Sequence, residues 1–380
     1  MRVCMITPHL PPEQAANALL PTMLGPALVA HGVDTSYVAH ASHAKDASEL
    51  DQVVFVPRRG KTPFGRTILG AAIAGGRMAR TARAAIMGSD LVHLHGNGFI
   101  VEVGGLLADR YRKPTVVTLY GTDVWHHDPI RHSRFAAVVR RAAFRVFYSQ
   151  GLLEFARSLD LAPDPSDVIY APVAPSLHGL EPDQRAAVRR ELGIGEEPYL
   201  LTVKRLHPVA GHEDLLRALP SITREFPTAR LFLAGEGPLA RPLAALAEEL
   251  GVSSAVRFLG LVDHRTLWRY YAAADLFVLP SRLESWGTVM LEALACGTPV
   301  VATDTPGGVE VHEHFPNAVT LVPAGDLEAL ARVVLQSLRQ RKRVDPATVC
   351  RLRTEFSVEA CAERYLEVYE RALASRHGAV

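Results

Sequence analysis

The sequence predicts an α/β protein made of two doubly wound domains, and three observations carry this prediction. The chain has 380 residues, which is too long for one ordinary core. Short apolar runs recur along it, each followed by a loop and then by a helical pattern. Two strand–loop–helix openings, at Arg2 and at Tyr199, each begin such a series, so each series is expected to form its own parallel sheet.

The amino-acid composition limits the kinds of partner that the chain is expected to bind. Lys plus Arg number 41 against 40 for Asp plus Glu, so no global charge calls for nucleic acid. No apolar run approaches membrane-spanning length, and the opening MRVCMITP is expected to be a buried strand and not a signal peptide. The cysteines lack Cys-x-x-Cys spacing, which indicates neither a zinc site nor a disulfide framework. We therefore expect a cytoplasmic protein. The cysteines are Cys4, Cys296, Cys350 and Cys361.

The first domain begins with a strand over Arg2–Thr7, a proline-rich turn and a helix from about Glu13 to His31. A helix carrying three arginines follows two further strands and a basic loop. The strands are expected at residues 35–39, 53–57, 91–95 and 115–119, the loop at 59–66, and the arginines are Arg77, Arg80 and Arg83.

Two histidines lie on the strand Leu91–His95. Alternate histidines of a buried strand are expected here to point to opposite faces, so that His93 and His95 need not act together. His95 stands at the carboxyl end beside Gly96-Asn97-Gly98, where ligands of such sheets bind. It is a candidate ligand-binding residue, and a capping hydrogen bond is the alternative role.

Residues 131–150 form the most basic helical stretch, in which arginines alternate with aromatic and apolar residues. It has two interpretations: a surface for an acceptor or an anionic membrane, or the solvated face of an ordinary amphipathic helix. The second is favoured because the aromatic side continues into a strand, residues 145–149, that must be core. The arginines are Arg131, Arg134, Arg140, Arg141 and Arg145.

A proline-containing hinge at residues 168–175 separates the domains. We expect an N-terminal domain over 1–172, a C-terminal domain over 173–355 and a terminal helix over 356–380. The second domain is expected to contain helices at 183–192 and 266–274, strands at 199–203, 230–234 and 276–280, a strand end at 257–260 and a glycine-rich turn at 304–310. A Ser357 cap opens the terminal helix.

The most informative stretch is E-S-W-G-T-V-M-L-E-A-L-A-C-G-T-P-V-V-A, residues 284–302. Glu284 and Glu292 stand eight positions apart across a glycine-containing turn, and the second acid is expected to open a short apolar helix that stops at Gly297. A turn at a helix N-terminus presents free N–H groups to an anion. Flanking carboxylates can hold hydroxyls, so a phosphorylated sugar fits. Simple packing of a helix between buried strands would explain the apolar positions but not the two acids.

This segment resembles the signature of the retaining glycosyltransferases of family 4, which have the GT-B fold. That signature is a Glu, an aromatic residue and Gly, a second Glu, and then Ala-x-x-x-Gly-x-Pro-Val. The resemblance implies two Rossmann-like domains with a cleft between them and a C-terminal helix that crosses back to the first domain. The N-terminal domain would bind the acceptor and the C-terminal domain the nucleotide sugar.

The resemblance also implies roles for individual residues. Glu284 would bind hydroxyls of the donor sugar and Glu292 the ribose. The loop Val203–Gly211 resembles the family's Val-Gly-Arg-Leu…Lys-Gly loop, so Arg205 would clamp the diphosphate, with Lys204 as a second cation. The predicted catalytic residues are Glu284, Arg205 and Tyr120. The remaining donor contacts are Trp286, Gly287, Thr288, Val289, Gly235, Leu259 and Asn17, and the predicted acceptor contacts are His95, Asn97 and Asp123.

Three positions depart from the family pattern. The first loop has Gln14-Ala15-Ala16-Asn17-Ala18 where relatives usually carry Gly-Gly, so phosphate contact there loses the freedom of glycine. Tyr120 replaces the histidine of His-Gly-Thr-Asp, and a phenol is a poor base near neutral pH. Ala210 replaces the lysine of the phosphate loop, and Lys204 or His207 could compensate.

The expected reaction is retaining transfer from a nucleotide-diphosphate sugar to a small molecule or glycan by front-face attack. No Asp-x-Asp stands where a metal-bridged donor needs it, so neither a metal nor another cofactor is expected. Peripheral membrane contact at most, and a homo-oligomer, are compatible with the sequence. Two alternatives remain: a natural-product transferase with an unusual donor or a thiol-like, pre-ionised acceptor, and a nucleotide-sugar-binding protein without activity.

Overall fold

The computed structural model describes residues 1–11, 15–40, 50, 52–56, 68–130 and 132–375. The chain divides into two compact units. Unit 1 comprises Met1–Pro172 together with Val358–Val380, and unit 2 comprises Val173–Ser357. The predicted start of the first helix at Glu13, the basic loop 59–66 and Arg131 lie outside the described residues.

Unit 1 is built on a seven-stranded parallel sheet within the described residues, in the order β3-β2-β1-β4-β5-β6-β7. Its strands are β1 (Arg2–Thr7), β2 (Asp34–His40), β3 (Val53–Val56), β4 (Leu91–His95), β5 (Thr115–Leu119), β6 (Phe144–Phe147) and β7 (Ser166–Val168). Its helices are α1 (Ala16–Ala30), α2 (Ile68–Gly88), α3 (Phe99–Arg110), α4 (Thr122–Trp125), α5 (Ser133–Arg141) and α6 (Gln150–Ser158).

The central strands of this sheet are buried along their whole length because helices cover both faces. All five residues of β4 and of β5 are buried. The strand order reverses between β1 and β4, so the loops that follow these two strands leave in opposite directions. This switch point is where open parallel sheets bind ligands.

Unit 2 is a six-stranded parallel sheet in the order β10-β9-β8-β11-β12-β13. Its strands are β8 (Tyr199–Val203), β9 (Arg230–Ala234), β10 (Val256–Gly260), β11 (Leu276–Leu279), β12 (Val300–Thr303) and β13 (Val319–Val322). Its helices are α7 (Pro182–Glu191), α8 (His212–Glu225), α9 (Ala240–Glu249), α10 (His264–Ala273), α11 (Thr288–Ala295), α12 (Pro306–His314), α13 (Leu327–Gln340) and α14 (Pro346–Glu355). Here the switch point lies between β8 and β11.

The last described helix, α15 (Val358–Ala374), belongs to unit 1, which confirms the prediction that the C-terminal helix crosses back to the first domain. Tyr365 and Tyr369 on this helix are fully buried and hydrogen-bond to the sheet at Thr118 and His93. Burial of each large side chain contributes about 1.5–3 kcal/mol, so this helix is part of the unit 1 core.

The basic stretch is split between a helix and a strand. On α5, Phe135 and Val139 are buried, while Arg140 and Arg141 pair at the surface with aspartates. This supports the solvated-face interpretation. Arg145 does not belong to that face: it is buried, and its guanidinium donates to backbone carbonyls, including that of Val139 at 2.8 Å. Burial lowers the pKa of Arg145.

Two predicted elements were wrong in detail. Residues 304–310 are not a free glycine-rich turn, because α12 begins at Pro306 behind a Thr305 cap. The helix after Glu284 begins at Thr288 and not at Glu292. Across the described ranges, no helix is both long and apolar enough to pass through a membrane.

Candidate active site

Glu284 lies on the loop that joins β11 to α11, at the switch point of unit 2. The residue is 6% exposed, and its Oε1 accepts a hydrogen bond from the backbone N–H of Ser285 at 3.2 Å. The other oxygen, Oε2, is bound by the ammonium group of Lys204, which follows β8. The loops after two neighbouring strands are thus joined by an ion pair, with the lysine side chain a quarter exposed.

The loop after β8 is shaped by Gly211, whose φ of 67° lies in the left-handed region. A Cβ at this position would stand 1.8 Å from the carbonyl oxygen of Pro280, so only glycine lets the two loops approach. Ala210, at the position of the family's lysine, is fully buried. The cation that reaches the acidic loop is Lys204, which the sequence analysis named only as a substitute cation for the diphosphate.

A second pairing holds the same two loops together. The guanidinium of Arg282 donates two hydrogen bonds to the carboxylate of Asp214 on α8, at 2.8 and 3.1 Å. The N–H of Arg282 also donates to the carbonyl of Val209 at 2.8 Å. This bidentate geometry fixes the loop two residues before Glu284.

Gly287 caps α11 in the left-handed conformation, with φ 73° and no side chain capping the helix. The first N–H groups of the helix, on Thr288 and Val289, therefore form an anion-binding terminus. The indole ring of Trp286 is buried and stacks on Phe356 with centroids 5.8 Å apart. Its side chain holds the turn, while its backbone belongs to the predicted donor contact.

The turn rests on Gly307 at the start of α12. The N–H of Gly307 donates to the carbonyl of Glu284 at 3.1 Å, and a Cβ at Gly307 would lie 2.6 Å from the carbonyl carbon of Ser285. The absent side chain allows this backbone-to-backbone contact. Gly307 is a supporting residue that the sequence analysis assigned only to a turn.

Glu292 lies on the second turn of α11, because the helix starts four residues earlier than predicted. Its Oε2 accepts a hydrogen bond from the hydroxyl of Tyr271 at 2.7 Å, and its Oε1 lies 3.5 Å from Nε2 of His264. Both partners are on α10. Hydrogen bonding to Glu292 raises the pKa of His264, and burial raises that of Tyr271 well above its ordinary value.

Arg205 extends into solvent, and its side chain makes no hydrogen bond or ion pair to any described residue. An exposed guanidinium without a protein partner is suited to bind an oxyanion. Beside it, a cavity of about 580 Å³ opens at the ends of β8, β9 and β10, lined in part by Leu206, Gly235 and Phe258. Leu259, a predicted donor contact, is half-buried on the adjoining strand β10.

Unit 1 places the other predicted residues at its own switch point. His95 ends β4, and its Nδ1 lies 2.7 Å from the hydroxyl of Tyr120, which follows β5. Asn17 lies in the first turn of α1, after β1, and Asn97 is exposed. The Asp123 carboxylate accepts hydrogen bonds from the N–H groups of Tyr120 and Gly121, so it shapes its own turn.

The expectation that His93 and His95 point to opposite faces was wrong. Strand side chains alternate with a period of two, so residues two apart share a face. The rings lie 3.9 Å apart between centroids. His93 lies deeper, with its nitrogens bound to Tyr369 at 2.7 Å and Thr118 at 2.8 Å. Burial lowers the pKa of both histidines, that of His95 to about 3, so both rings are neutral.

The structure therefore brings Glu284, Lys204 and the α11 terminus together in unit 2, and His95 and Tyr120 together in unit 1. The sequence analysis missed Tyr271 and His264, the partners of Glu292. A tyrosine and a histidine seven positions apart on one helix face, ahead of the acidic loop, were the only signal available.

Two family models match the chain. "Glycosyltransferase Family 4" matches residues 22–177 and "Glycosyl transferases group 1" matches residues 184–348. A D-inositol 3-phosphate glycosyltransferase of Mycobacterium sp. (strain KMS) is 35% identical over 307 residues, which cover 75% of this chain and 67% of that protein. A GDP-mannose-dependent alpha-(1-6)-phosphatidylinositol monomannoside mannosyltransferase of Mycolicibacterium smegmatis is 35% identical over 170 residues. That match spans 43% of this chain and 44% of the relative, less than half its length.

Solved structures agree on the architecture. Sucrose-phosphate synthase from Thermosynechococcus elongatus superposes with a TM-score of 0.80 at 22% identity, covering 98% of this chain and 99% of that one. HepE of Anabaena, in complex with UDP and glucose, gives 0.81 at 21% identity, with 97% and 99% covered. Fold and site thus define a two-domain protein of the GT-B class. The chain belongs to glycosyltransferase family 4.

Proposed function

We propose that this chain is a retaining glycosyltransferase that moves a sugar from a nucleotide-diphosphate donor to a hydroxyl-bearing acceptor. The observation that carries the proposal is the arrangement around Glu284. A buried carboxylate, the Lys204 ammonium group and an uncapped helix terminus meet at the switch point of unit 2. This combination offers acceptors for sugar hydroxyls beside donors for phosphate oxygens.

The charges support release of a diphosphate. Lys204, Arg205 and the N-terminus of α11 supply positive charge or dipole where negative charge develops on the departing phosphate. The sequence has no Asp-x-Asp to bridge a metal to the donor, and we propose that these groups act without a metal. The cavity next to Gly235 has the volume to take the nucleoside.

The reaction would proceed on one face of the sugar. The bond between the anomeric carbon and the phosphate oxygen breaks as the acceptor oxygen bonds to the same carbon from the same side. The departing phosphate takes the acceptor proton. No protein base is then required, which is compatible with Tyr120, because burial raises the pKa of its hydroxyl well above the ordinary value and keeps it protonated.

Relatives supply the candidate donors. One is named for GDP-mannose and a structural neighbour was solved with UDP and glucose, so we propose a GDP- or UDP-sugar as the donor. We place the reaction in the cytoplasm, because the four cysteines are free thiols, as a reducing compartment favours.

The test measures sugar transfer and the anomeric configuration of the product. The chain is incubated with GDP-mannose or UDP-glucose, a panel of polyol acceptors and EDTA, and the product is examined by NMR at the anomeric centre. We expect a product with the configuration of the donor, formed in the presence of EDTA and strongly reduced in Glu284→Gln. An inverted product, or transfer that EDTA abolishes, contradicts the corresponding part of the proposal.

A further inference from the structure

The switch point of unit 1 contains two polar atoms that nothing in the described chain satisfies. His95 is fully buried; its Nδ1 faces the hydroxyl of Tyr120 at 2.7 Å, but its Nε2 is buried without a hydrogen-bond partner. Oδ1 of Asn17 is also buried and unpartnered among the described residues. Such atoms cost about 1–3 kcal/mol each, and two of them together at the switch point of a parallel sheet, where ligands bind, point to a ligand.

The two side chains are neighbours. Gly96 directly follows His95, and a Cβ on Gly96 would lie 3.2 Å from Nδ2 of Asn17 and 3.6 Å from Cδ2 of Tyr120. The strands that precede the two side chains, β1 and β4, are adjacent in the sheet, and the strand order reverses between them. The glycine leaves the space between Asn17 and Tyr120 without a side chain.

The chemistry of this space is neutral. Burial keeps the His95 ring uncharged, with its pKa lowered to about 3, and the buried carboxylate of Asp123 is turned to backbone N–H groups. A phosphate or carboxylate would find no cation among these groups. A hydroxyl both donates and accepts, so it can pair with His95 Nε2 in either tautomer, while the amide oxygen of Asn17 requires a donor.

We propose that Nε2 of His95 and Oδ1 of Asn17 bind two hydroxyl groups of a sugar or other polyol, with Tyr120 orienting the imidazole through Nδ1. The inference deepens the proposed function, on which it rests for the nature of the substrate. It gives Asn17 a hydroxyl as its ligand, where the sequence analysis assigned it to the donor phosphates. Tyr120 acts here as a positioning residue.

Two substitutions of His95 separate this role from a structural one. The short amide of His95→Asn stands where Nδ1 stood and keeps the bond to Tyr120 but loses Nε2. The longer amide of His95→Gln reaches the Nε2 position. We expect the apparent affinity for the polyol to fall about tenfold in His95→Asn, as for one lost hydrogen bond, and to be largely retained in His95→Gln. A purely structural histidine predicts the opposite order.

The direct probe is NMR of the full chain labelled with ¹⁵N at the histidine side chains. The His95 signals are assigned by their loss in His95→Gln. Probes are myo-inositol and methyl α-D-mannopyranoside for an acceptor, and GDP-mannose and UDP-glucose for a donor. We expect the Nε2 signal of His95 to move with at least one probe while the His93 signals, whose nitrogens are both paired, stay in place.

The probe that moves the signal identifies the source of the hydroxyls. Donor binding is followed separately by thermal stabilisation that Glu292→Ala abolishes. If that stabilisation is present and no probe moves His95 Nε2, the polyol site is overturned and the proposed function stands. If no donor stabilises the chain but a simple polyol moves Nε2, the polyol site stands and the proposed function fails. If neither response occurs, both are overturned.

Discussion

Two buried tyrosines of unit 2 allow a matched test of how Glu292 is held. The hydroxyl of Tyr271 donates to Glu292 at 2.7 Å, whereas the buried hydroxyl of Tyr199 has no partner among the described residues. Both residues are completely buried, and each ring packs against one phenylalanine, 5.5 and 4.7 Å away between centroids. Removing either hydroxyl with phenylalanine leaves the ring packing unchanged.

The two substitutions should change the free energy of unfolding differently. A hydrogen bond to a charged group contributes about 1.5–3 kcal/mol, so Tyr271→Phe should lower the free energy of unfolding by about 2 kcal/mol. Glu292 would keep only the longer contact to His264, at 3.5 Å. Tyr199→Phe removes an unsatisfied hydroxyl and relieves its desolvation, so stability should stay equal or rise by about 1 kcal/mol.

Urea unfolding followed by tryptophan fluorescence measures this difference, since two of the three tryptophans, Trp268 and Trp286, lie in unit 2. Tyr271→Phe should also weaken donor binding, because the Glu292 carboxylate loses the bond that orients it. Equal destabilisation by the two substitutions would refute the reasoning, since it would mean that the hydrogen bond to Glu292 contributes nothing beyond the buried phenol itself.

Three further predictions concern two glycine substitutions, the ion pair of Lys204 with Glu284, and the pKa of His264. Gly307→Ala should lower the free energy of unfolding in urea by about 1–3 kcal/mol, because the added Cβ forces the acidic loop outward. As a control, Gly76→Ala should raise it by about 0.5–1 kcal/mol, because a Cβ there meets nothing within 4 Å. An unchanged stability in Gly307→Ala would contradict the close contact. A double-mutant cycle of Lys204→Met and Glu284→Gln should show a coupling of about 1–2 kcal/mol, because the lysine is only partly exposed. Additive effects of the two substitutions would contradict an interaction between these side chains. The pKa of His264 is raised from 6.5 in the folded state, so its contribution is fully present below pH 6.5 and is lost as pH rises through the raised value. The stability difference between wild type and His264→Gln should shrink with rising pH. A difference that grows with rising pH would contradict a raised pKa of His264.

Local patterns predicted most of the fold. Apolar strands followed by glycine-rich loops indicated the sheets, and the acidic turn made Glu284 and Glu292 candidate site residues. The pairing of Glu284 with Lys204 was not predicted, because Lys204 stands 80 positions away and the pairing depends on the adjacency of β8 and β11.

The failures have physical causes. The start of α11 was placed at Glu292 because the acid was taken as the first helical residue, whereas the uncapped Gly287 begins the helix. Arg145 looked like part of a charged face, but the strand it occupies is buried and carbonyls at that end of the strand bind its guanidinium. His93 and His95 were expected on opposite faces, but strand side chains alternate with a period of two, so residues two apart share a face.

The proposed function requires that unit 2 binds the nucleotide sugar through Glu292. The most direct measurement is a thermal-shift panel of UDP-, GDP-, ADP- and dTDP-sugars against the wild type and Glu292→Ala. We expect a clear stabilisation by one nucleotide class that disappears in the variant. No stabilisation by any of these sugars at saturating concentration, or an equal one in Glu292→Ala, would contradict it.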